Sequence, residues 1–225
     1  MKISEVDLAK PVIEWLLAQH WEVYQEVQLH YGGSIADVVA LKNNIMWVVE
    51  CKTSFTLTVL EQALHWNSHY RSIAVPSAKN EKGRTFANMV ASDYGIGVFE
   101  LTEYGGEWHV NDRIPPKLQR QNTYFVKNYY LPRMTEEQKT WAEAGNNHGD
   151  RYTPYQSTMK EVKWFIKNHP GCTIGEIYKE LGKCHYSSDQ SAKGSISNAL
   201  RTFEKDWCDA VLDGKIFRFY LREEK

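Results

Sequence analysis

Hydrophobic residues in the first half of the chain follow periods that alternate between helical and extended. Two runs, 35–41 (IADVVAL) and 45–53 (IMWVVECKT), are almost continuously apolar and are separated by three polar residues. Such runs are typical of strands buried on both faces, so we predict a hairpin at the centre of a sheet. The flanking pattern predicts, in chain order, helix 4–19, strand 23–31, helix 57–70, strand 72–75, helix 82–94 and strand 97–102.

The order αβββαβαβ predicts a mixed sheet flanked by helices, and therefore an α/β domain over residues 1–114. Ser4 is a suitable N-cap for the first helix, because Asp7 three residues later can complete a capping box. In the second helix we expect His65 and His69 to lie on the surface.

The amino-acid composition changes after residue 113. Residues 113–133 hold five basic and no acidic residues, with four aromatic residues among them, namely Tyr124, Phe125, Tyr129 and Tyr130. Aromatic rings between basic residues can clamp a single nucleic-acid strand by stacking. The alternative is a basic, aromatic linker, 115–155, that packs over the first domain and contains a loop at 146–154.

Residues 156–225 predict a second domain. Helices are expected at 157–168, 173–181 and 194–206, followed by a hairpin over 208–221 that turns at Asp213-Gly214. Three helices followed by a hairpin resemble the winged helix-turn-helix fold. The resemblance implies a recognition helix, 191–206, that enters the major groove of DNA.

The same resemblance implies DNA-binding residues. They are polar side chains of the recognition helix and the wing: Lys193, Ser195, Ser197, Asn198, Arg201, Lys215 and Arg218. Basic side chains would bind phosphates, whereas Asn198 or Arg201 could read base edges. Winged helices also bind proteins, and nearby acidic residues such as Glu204 and Asp206 weaken the positive field, so both uses stay open.

Composition narrows the class of protein. The chain has 225 residues, of which 42% are hydrophobic and 24% charged, as in ordinary globular domains and unlike disordered or disulfide-dense chains. The longest apolar run, 45–49, is too short to span a membrane, and the acidic start does not resemble a signal peptide. Four unevenly spaced cysteines indicate reduced thiols. We therefore expect a soluble, cytoplasmic protein.

The charge is unevenly distributed. Residues 1–114 contain 9 basic and 14 acidic residues, and residues 115–225 contain 18 and 14, although the whole chain carries only −1. A basic half can meet a polyanion, or it can simply attract the acidic half. Charge alone does not decide between these interpretations.

The two central strands carry the candidate chemistry. Asp37 lies within one apolar run, and Glu50 and Lys52 lie two residues apart in the next, on one face of the strand. Pairing the strands places both carboxyl groups together, where a divalent cation relieves their repulsion. Such an ion can activate water beside a phosphodiester, and Lys52 can hold that water or stabilise the phosphate in the transition state. The alternative is a buried ion pair without catalysis.

The segment IADVVALKNNIMWVVECKTSF, spaced as D-x12-E-C-K, resembles the PD-(D/E)XK nuclease superfamily over residues 4–102. The resemblance implies a restriction-endonuclease-like αβββαβ core. Asp37, Glu50 and the Cys51 carbonyl would bind Mg²⁺, for which Mn²⁺ can substitute, and Lys52 would be the catalytic lysine. Ala36 stands where the family motif has proline.

Further site residues follow from the same resemblance. Many members carry a glutamate on the first helix that points at the metal, and Glu5 shares the sheet-facing stripe of that helix. Glu26 on the first strand is a weaker candidate. RecB-like members carry a Gln-x3-Tyr motif on the next helix, which would make Gln62 a site residue, although Trp66 replaces the tyrosine.

These observations predict a metal-dependent deoxyribonuclease with DNA as its partner and no membrane association. The alternative is a non-catalytic DNA-binding or regulatory protein that retains the nuclease scaffold. The fold is also compatible with a homodimer, for which the sequence offers no deciding patch.

Overall fold

A computed structural model of the chain describes residues 3–29, 33–78, 84–145 and 152–222. The chain divides into two units, Met1–Tyr152 and Thr153–Lys225. Elements of the first unit up to residue 114 are, in chain order, α1 (Glu5–Ala18), β1 (Glu22–Gln28), β2 (Ile35–Lys42), β3 (Ile45–Cys51), α2 (Leu57–Leu64), β4 (Tyr70–Pro76), α3 (Thr85–Asp93), β5 (Gly97–Tyr104) and β6 (Glu107–Ile114). The end of the predicted strand 23–31, the start of the predicted helix 82–94 and residues 146–151 of the predicted loop lie outside the described residues.

The first unit is a mixed α/β structure, as the pattern predicted. Its six strands form one sheet in the order β1-β2-β3-β4-β5-β6. β1, β2 and β3 are antiparallel, β3, β4 and β5 are parallel, and β5 and β6 are antiparallel. The predicted hairpin of β2 and β3 therefore lies inside the sheet, where five consecutive residues of β2 and six of β3 are buried.

Helices cover both faces of this sheet. α1 packs on one face, where Leu8 and Val12 meet Val49 of β3 and Phe99 of β5. α2 and α3 pack on the other face against β4 and β5. Ser4 and Asp7 form the predicted capping box, which fixes where α1 begins.

The predicted helix 57–70 is too long. α2 ends at Leu64, and the chain then turns into β4 at Tyr70. His69 is buried, not on a helix surface: its Nδ1 accepts the backbone N–H of Met46 at 3.1 Å, which leaves Nε2–H to donate to Thr123 Oγ1 at 3.1 Å. Burial also lowers the pKa of His69, in keeping with a neutral ring. These long-range bonds end the helix.

Residues 115–145 belong to the first unit. They form short helical turns, which are Arg120–Asn122, α4 (Thr123–Phe125), Val126–Tyr130, Leu131–Arg133 and Glu136–Lys139. Val126 and Tyr130 are buried against Trp66 and β1–β3. Gln25 of β1 holds the following stretch, because its side chain bonds the backbone of Lys139 and Ala144.

The second unit has helices and a small sheet around its own core. Its elements are α5 (Pro154–Asn168), β7 (Cys172–Thr173), α6 (Ile174–Leu181), α7 (Asp189–Thr202), β8 (Cys208–Asp213) and β9 (Ile216–Leu221). The strands pair in the order β7-β9-β8. Two predictions shift: α7 begins and ends earlier than 194–206, and the two-residue turn is Gly214-Lys215, with Gly214 at φ +63°.

All four cysteines are free thiols. Among the described residues, no helix is both long and apolar enough to cross a membrane.

Candidate active site

The strand register brings the two central acids together. Val38 of β2 pairs with Val49 of β3, and one further step of this antiparallel register sets Asp37 opposite Glu50. Both acids are nearly buried, with 8% and 4% of their surface exposed. Buried carboxyl groups are costly unless they are paired or hydrogen-bonded. Each of the two therefore needs specific partners.

Lys52 supplies the first partner. Its ammonium lies 3.0 Å from Asp37 Oδ2, 3.1 Å from Glu5 Oε2 and 3.8 Å from Glu50 Oε2. One cation thus stands among three carboxyl groups. The Lys52 and Glu5 side chains are each about one-fifth exposed, so the cluster is reached from solvent on their side.

Cys51 contributes through its backbone. Its N–H donates to Asp37 Oδ2 at 2.7 Å, which fixes the carboxylate against the end of β3. The thiol is fully buried, in contact with the core beneath α1, on the face opposite Glu50. Burial holds the pKa of the Cys51 thiol well above its ordinary value, so this side chain does not offer a thiolate.

Glu50 is held by Trp66, a partner that the sequence did not reveal. The indole N–H donates to Glu50 Oε1 at 2.7 Å, and the tryptophan is only 2% exposed. Burial, followed by the negative charge of Asp37, raises the pKa of Glu50 to about 8, against the opposing effects of Lys52 and Trp66. Glu50 is therefore largely protonated at neutral pH.

The pKa of Lys52 is also raised, but for a lysine a raised pKa favours the charged form. Burial disfavours its ammonium form, but the negative charges of Asp37 and Glu50 outweigh burial and hold the pKa of Lys52 above its ordinary value. The cation is therefore permanent over the physiological range. Its short contacts are with Asp37 and Glu5, which explains why pairing outweighs burial for Lys52 but not for Glu50.

Glu5 and Glu26 flank the cluster from the α1 side. Glu5 at the start of α1 reaches Lys52, whereas Glu26 Oε1 accepts the backbone N–H of Gly145 at 2.7 Å. Gly145 has φ +81°, and a Cβ there would lie 2.6 Å from the carbonyl carbon of Glu5. Glu26 thus supports the backbone beside Glu5.

Gln62 lies on α2, four residues before the Trp66 that binds Glu50. Gln62 is exposed on α2, and no side-chain hydrogen bond within the described residues joins it to Asp37, Glu50 or Lys52. Trp66, one turn further along the chain, makes the contact with Glu50 instead.

The candidate nucleic-acid residues of the second unit differ in what they already bind. Those exposed on α7 are Lys193, Ser195, Asn198 and Arg201, and Lys215 is exposed in the turn. Arg218 is half-buried and donates to Asp213 Oδ2 at 2.7 Å and to the Gly171 carbonyl at 3.1 Å. The Arg201 guanidinium lies 4.1 Å from the Phe217 ring centre. Arg218 is thus engaged in holding the small sheet.

The donor chemistry of the first-unit cluster fits a hard divalent cation. Mg²⁺ is commonly held by one or two carboxylates and keeps several waters. Asp37 and Glu50 converge on one positive charge, the Lys52 ammonium, and offer only oxygen. In the described ranges, no group of three or more His, Cys, Asp or Glu side chains is arranged to hold a metal ion. A magnesium site here would therefore rely on two side chains, with the Cys51 carbonyl as the third oxygen that the family resemblance implies.

No protein-family model matches the chain, and no curated protein matches it. Among solved structures, the chain is similar to a protein of unknown function from Silicibacter pomeroyi. The two are 18% identical, the match covers 58% of this chain and 86% of that one, and the TM-score is 0.37.

The Trp66–Glu50 contact yields a first prediction. Trp66→Phe keeps an aromatic ring but removes the only N–H of the side chain, so Glu50 Oε1 loses a buried donor. We expect the free energy of unfolding to fall by about 1.5–3 kcal/mol, the usual range for a hydrogen bond to a chargeable group. Urea unfolding followed by circular dichroism measures this. Trp164→Phe, at a 63% exposed tryptophan, is the matched control and should change little; equal losses in both variants would contradict the assignment.

Proposed function

We propose that the protein is a metal-dependent deoxyribonuclease with a restriction-endonuclease-like core in the first unit and a winged helix in the second. The observation that carries this proposal is the Lys52 ammonium between Asp37, Glu5 and Glu50 at the ends of two central strands. A purely structural ion pair needs one acid for one lysine, whereas here three carboxyl groups surround one cation. The surplus negative charge supports binding of a further cation.

In this proposal Asp37 and Glu50 hold Mg²⁺, and Glu5 keeps Lys52 in position. A bound divalent cation would neutralise phosphate charge and favour deprotonation of water. Lys52 carries a fixed positive charge that can donate hydrogen bonds to the attacking water or to the phosphate oxygens as their charge grows. Trp66 orients Glu50 by occupying one carboxyl oxygen and leaving the other directed toward Lys52.

The second unit would contribute DNA binding. The exposed polar face of α7 supports this role, because Ser195, Asn198 and Arg201 lie away from the buried Ile196 and Leu200. Lys193 and Lys215 would bind phosphates. Arg218 is a weaker candidate than the sequence suggested, because its guanidinium already bonds Asp213 and Gly171.

A cleavage assay tests the proposed function. Purified full-length protein is incubated with plasmid, linear, branched and single-stranded DNA in Mg²⁺, Mn²⁺ or EDTA. We expect cutting of at least one substrate with either metal and none with EDTA, and we expect Asp37→Asn to be inactive. Asp93→Asn, at an exposed acid that ends α3, is the matched control and should cut normally.

Two results would reject the proposal. Undiminished cutting by Asp37→Asn protein would show that the activity belongs to another site or to a contaminant. Absence of cutting by the wild type on every substrate and with both metals would favour the alternative, a non-catalytic DNA-binding protein that keeps the scaffold. Isothermal titration of Mn²⁺ into wild type and Asp37→Asn then tests metal binding separately from cleavage.

A further inference from the structure

The helical turns over residues 120–130 have two unlike faces. The inner face holds Val126 and Tyr130, which are 1% and 0% exposed and pack against Trp66. The outer face presents Tyr124 and Tyr129, which are 71% and 47% exposed. Packing against the sheet accounts for the buried inner face, but it does not account for the two exposed aromatic rings of the outer face.

Hydrogen bonds attach the segment to the three residues that precede β4. Four hydrogen bonds join residues 119–130 to residues 67–69. Their donors and acceptors are Asn67 N–H to Tyr130 Oη at 3.2 Å, Asn122 Nδ2 to the Ser68 carbonyl at 2.8 Å, Gln119 N–H to the His69 carbonyl at 2.8 Å and His69 Nε2 with Thr123 Oγ1 at 3.1 Å. The backbone that carries the exposed rings is therefore held in place, and the rings lose little conformational freedom when they bind a ligand.

The aromatic rings form a continuous series from the core to the surface. Phe125 lies 5.1 Å from buried Tyr130 and 4.7 Å from Tyr129, and Tyr129 lies 6.4 Å from Tyr124, measured between ring centres. Each ring packs on its neighbour, so the two outer tyrosines are held in place by the inner two. The outer pair still offers open ring surface to a planar group.

The charged residues of this segment have one sign. Between Asp112 and Glu136 the chain has basic residues but no acidic one. Lys127 and Arg120 are exposed, and no ion pair joins either of them to an acidic residue in the described part of the chain. Exposed aromatic faces and unneutralised cations on one segment complement a chain of planar bases linked by phosphates.

We propose that Tyr124, Tyr129, Lys127 and Arg120, which we call the aromatic platform, bind single-stranded DNA. A duplex keeps its bases stacked on one another, so the tyrosine rings can receive only unpaired bases. The platform adjoins the candidate active site through its inner face, because Tyr130 and Val126 pack on Trp66, whose indole binds Glu50. The inference rests on the proposed function, which it deepens by naming an unpaired strand as the substrate region.

Fluorescence anisotropy in EDTA tests the platform. Full-length protein is titrated into fluorescein-labelled oligo(dT) and into a duplex of equal length. We expect tighter binding of the single strand, a 5- to 100-fold loss of that affinity in Tyr124→Ala or Tyr129→Ala, and retention of affinity in Tyr124→Trp, which keeps a stacking face. Lys127→Ala should lower the slope of log affinity against log salt by about 0.7.

Tyr104→Ala is the matched control, because Tyr104 is 80% exposed but lies at the β5–β6 turn. Unchanged single-strand affinity in Tyr124→Ala and Tyr129→Ala, or equal losses in Tyr104→Ala, would overturn the proposal. Equal affinity for single strand and duplex in the wild type would do the same. EDTA stops metal-dependent cutting, so a failure of single-strand binding at the platform can be distinguished from a failure of the proposed cleavage activity.

Discussion

Lys52→Met is expected to lower the free energy of unfolding by about 3–5 kcal/mol at pH 7, the range found when one partner of a buried ion pair is removed. The methionine retains much of the length of the side chain but carries no charge. Asp37 and Glu5 then lose a cation at 3.0 and 3.1 Å, and Asp37 remains nearly buried. Chemical unfolding of both proteins at a series of pH values measures the loss.

The pH dependence identifies the cause. The pKa of Lys52 is raised in the folded protein, so its stabilising contribution is complete below the ordinary value of 10.5 and is lost only as the pH rises through the raised value. Between pH 5 and 9 the lysine itself does not titrate. The deficit of Lys52→Met should instead shrink below about pH 8, because protonation of Glu50, whose pKa is raised by burial, removes one uncompensated charge.

Lys10→Met provides the matched control. Lys10 also belongs to the α1 region, but its ion pair with Glu143 is long, at 3.8 Å, and both side chains are mostly exposed. Such pairs contribute between zero and about 1 kcal/mol. Equal losses in Lys52→Met and Lys10→Met would contradict a buried, charge-compensating lysine. Under the proposed function, Lys52→Met should also reduce the cleavage rate by about 100-fold or more, whereas Lys10→Met should not.

The part of the fold that could be predicted is the part in which burial leaves a local signature. β2 and β3 are buried on both faces, so their sequences are almost continuously apolar, and their bounds were predicted to within two residues. β6 was missed because it is an edge strand: only Trp108, Val110 and Ile114 are partly buried, among polar neighbours. Its pairing with β5 comes from the sheet and not from its own pattern.

The candidate site divides in the same way. Asp37, Glu50 and Lys52 could be singled out because charged residues inside apolar strands must be compensated, and strand pairing limits where the compensation lies. Trp66 could not be identified as the donor to Glu50, because the contact depends on α2 ending at Leu64. The chain beyond that end is held by bonds from residues 67–69 to residues 119–130, which lie 50 or more positions away. The need for a hydrogen-bond donor to Glu50 could be inferred from the sequence, but which residue supplies that donor depends on the tertiary structure.

Glu50 makes wild-type stability fall as the pH rises. In the folded protein burial and the charge of Asp37 raise its pKa to about 8, whereas its ordinary value of 4.5 applies to the unfolded chain. Its stabilising contribution is therefore complete below pH 4.5 and is lost progressively up to about pH 8. At about 1.4 kcal/mol per pKa unit, the loss is on the order of 5 kcal/mol.

Glu50→Gln isolates this effect, because glutamine has the shape of the protonated acid and does not ionise. We expect the variant to match the wild type near pH 4.5 and to become more stable than it by several kcal/mol at pH 8 to 9. Unfolding by urea at each pH, with the two proteins compared pairwise, cancels the titration of all other groups. Equal pH slopes in the two proteins would contradict a raised Glu50 pKa.

Asp37→Asn separates the two causes of the raised value. Burial is the larger cause and remains in this variant, whereas the repulsion by the Asp37 charge is removed. The pKa of Glu50 should therefore fall but stay above 4.5, and the Glu50-dependent loss of stability should finish at a lower pH.

If Glu50 also binds Mg²⁺, the ion must displace the proton of Glu50 below pH 8. Added Mg²⁺ should therefore stabilise the wild type more strongly at pH 8 than at pH 6, and it should leave Glu50→Gln almost unaffected. The proton on Glu50 thus connects the stability of the fold to the metal that the proposed activity requires.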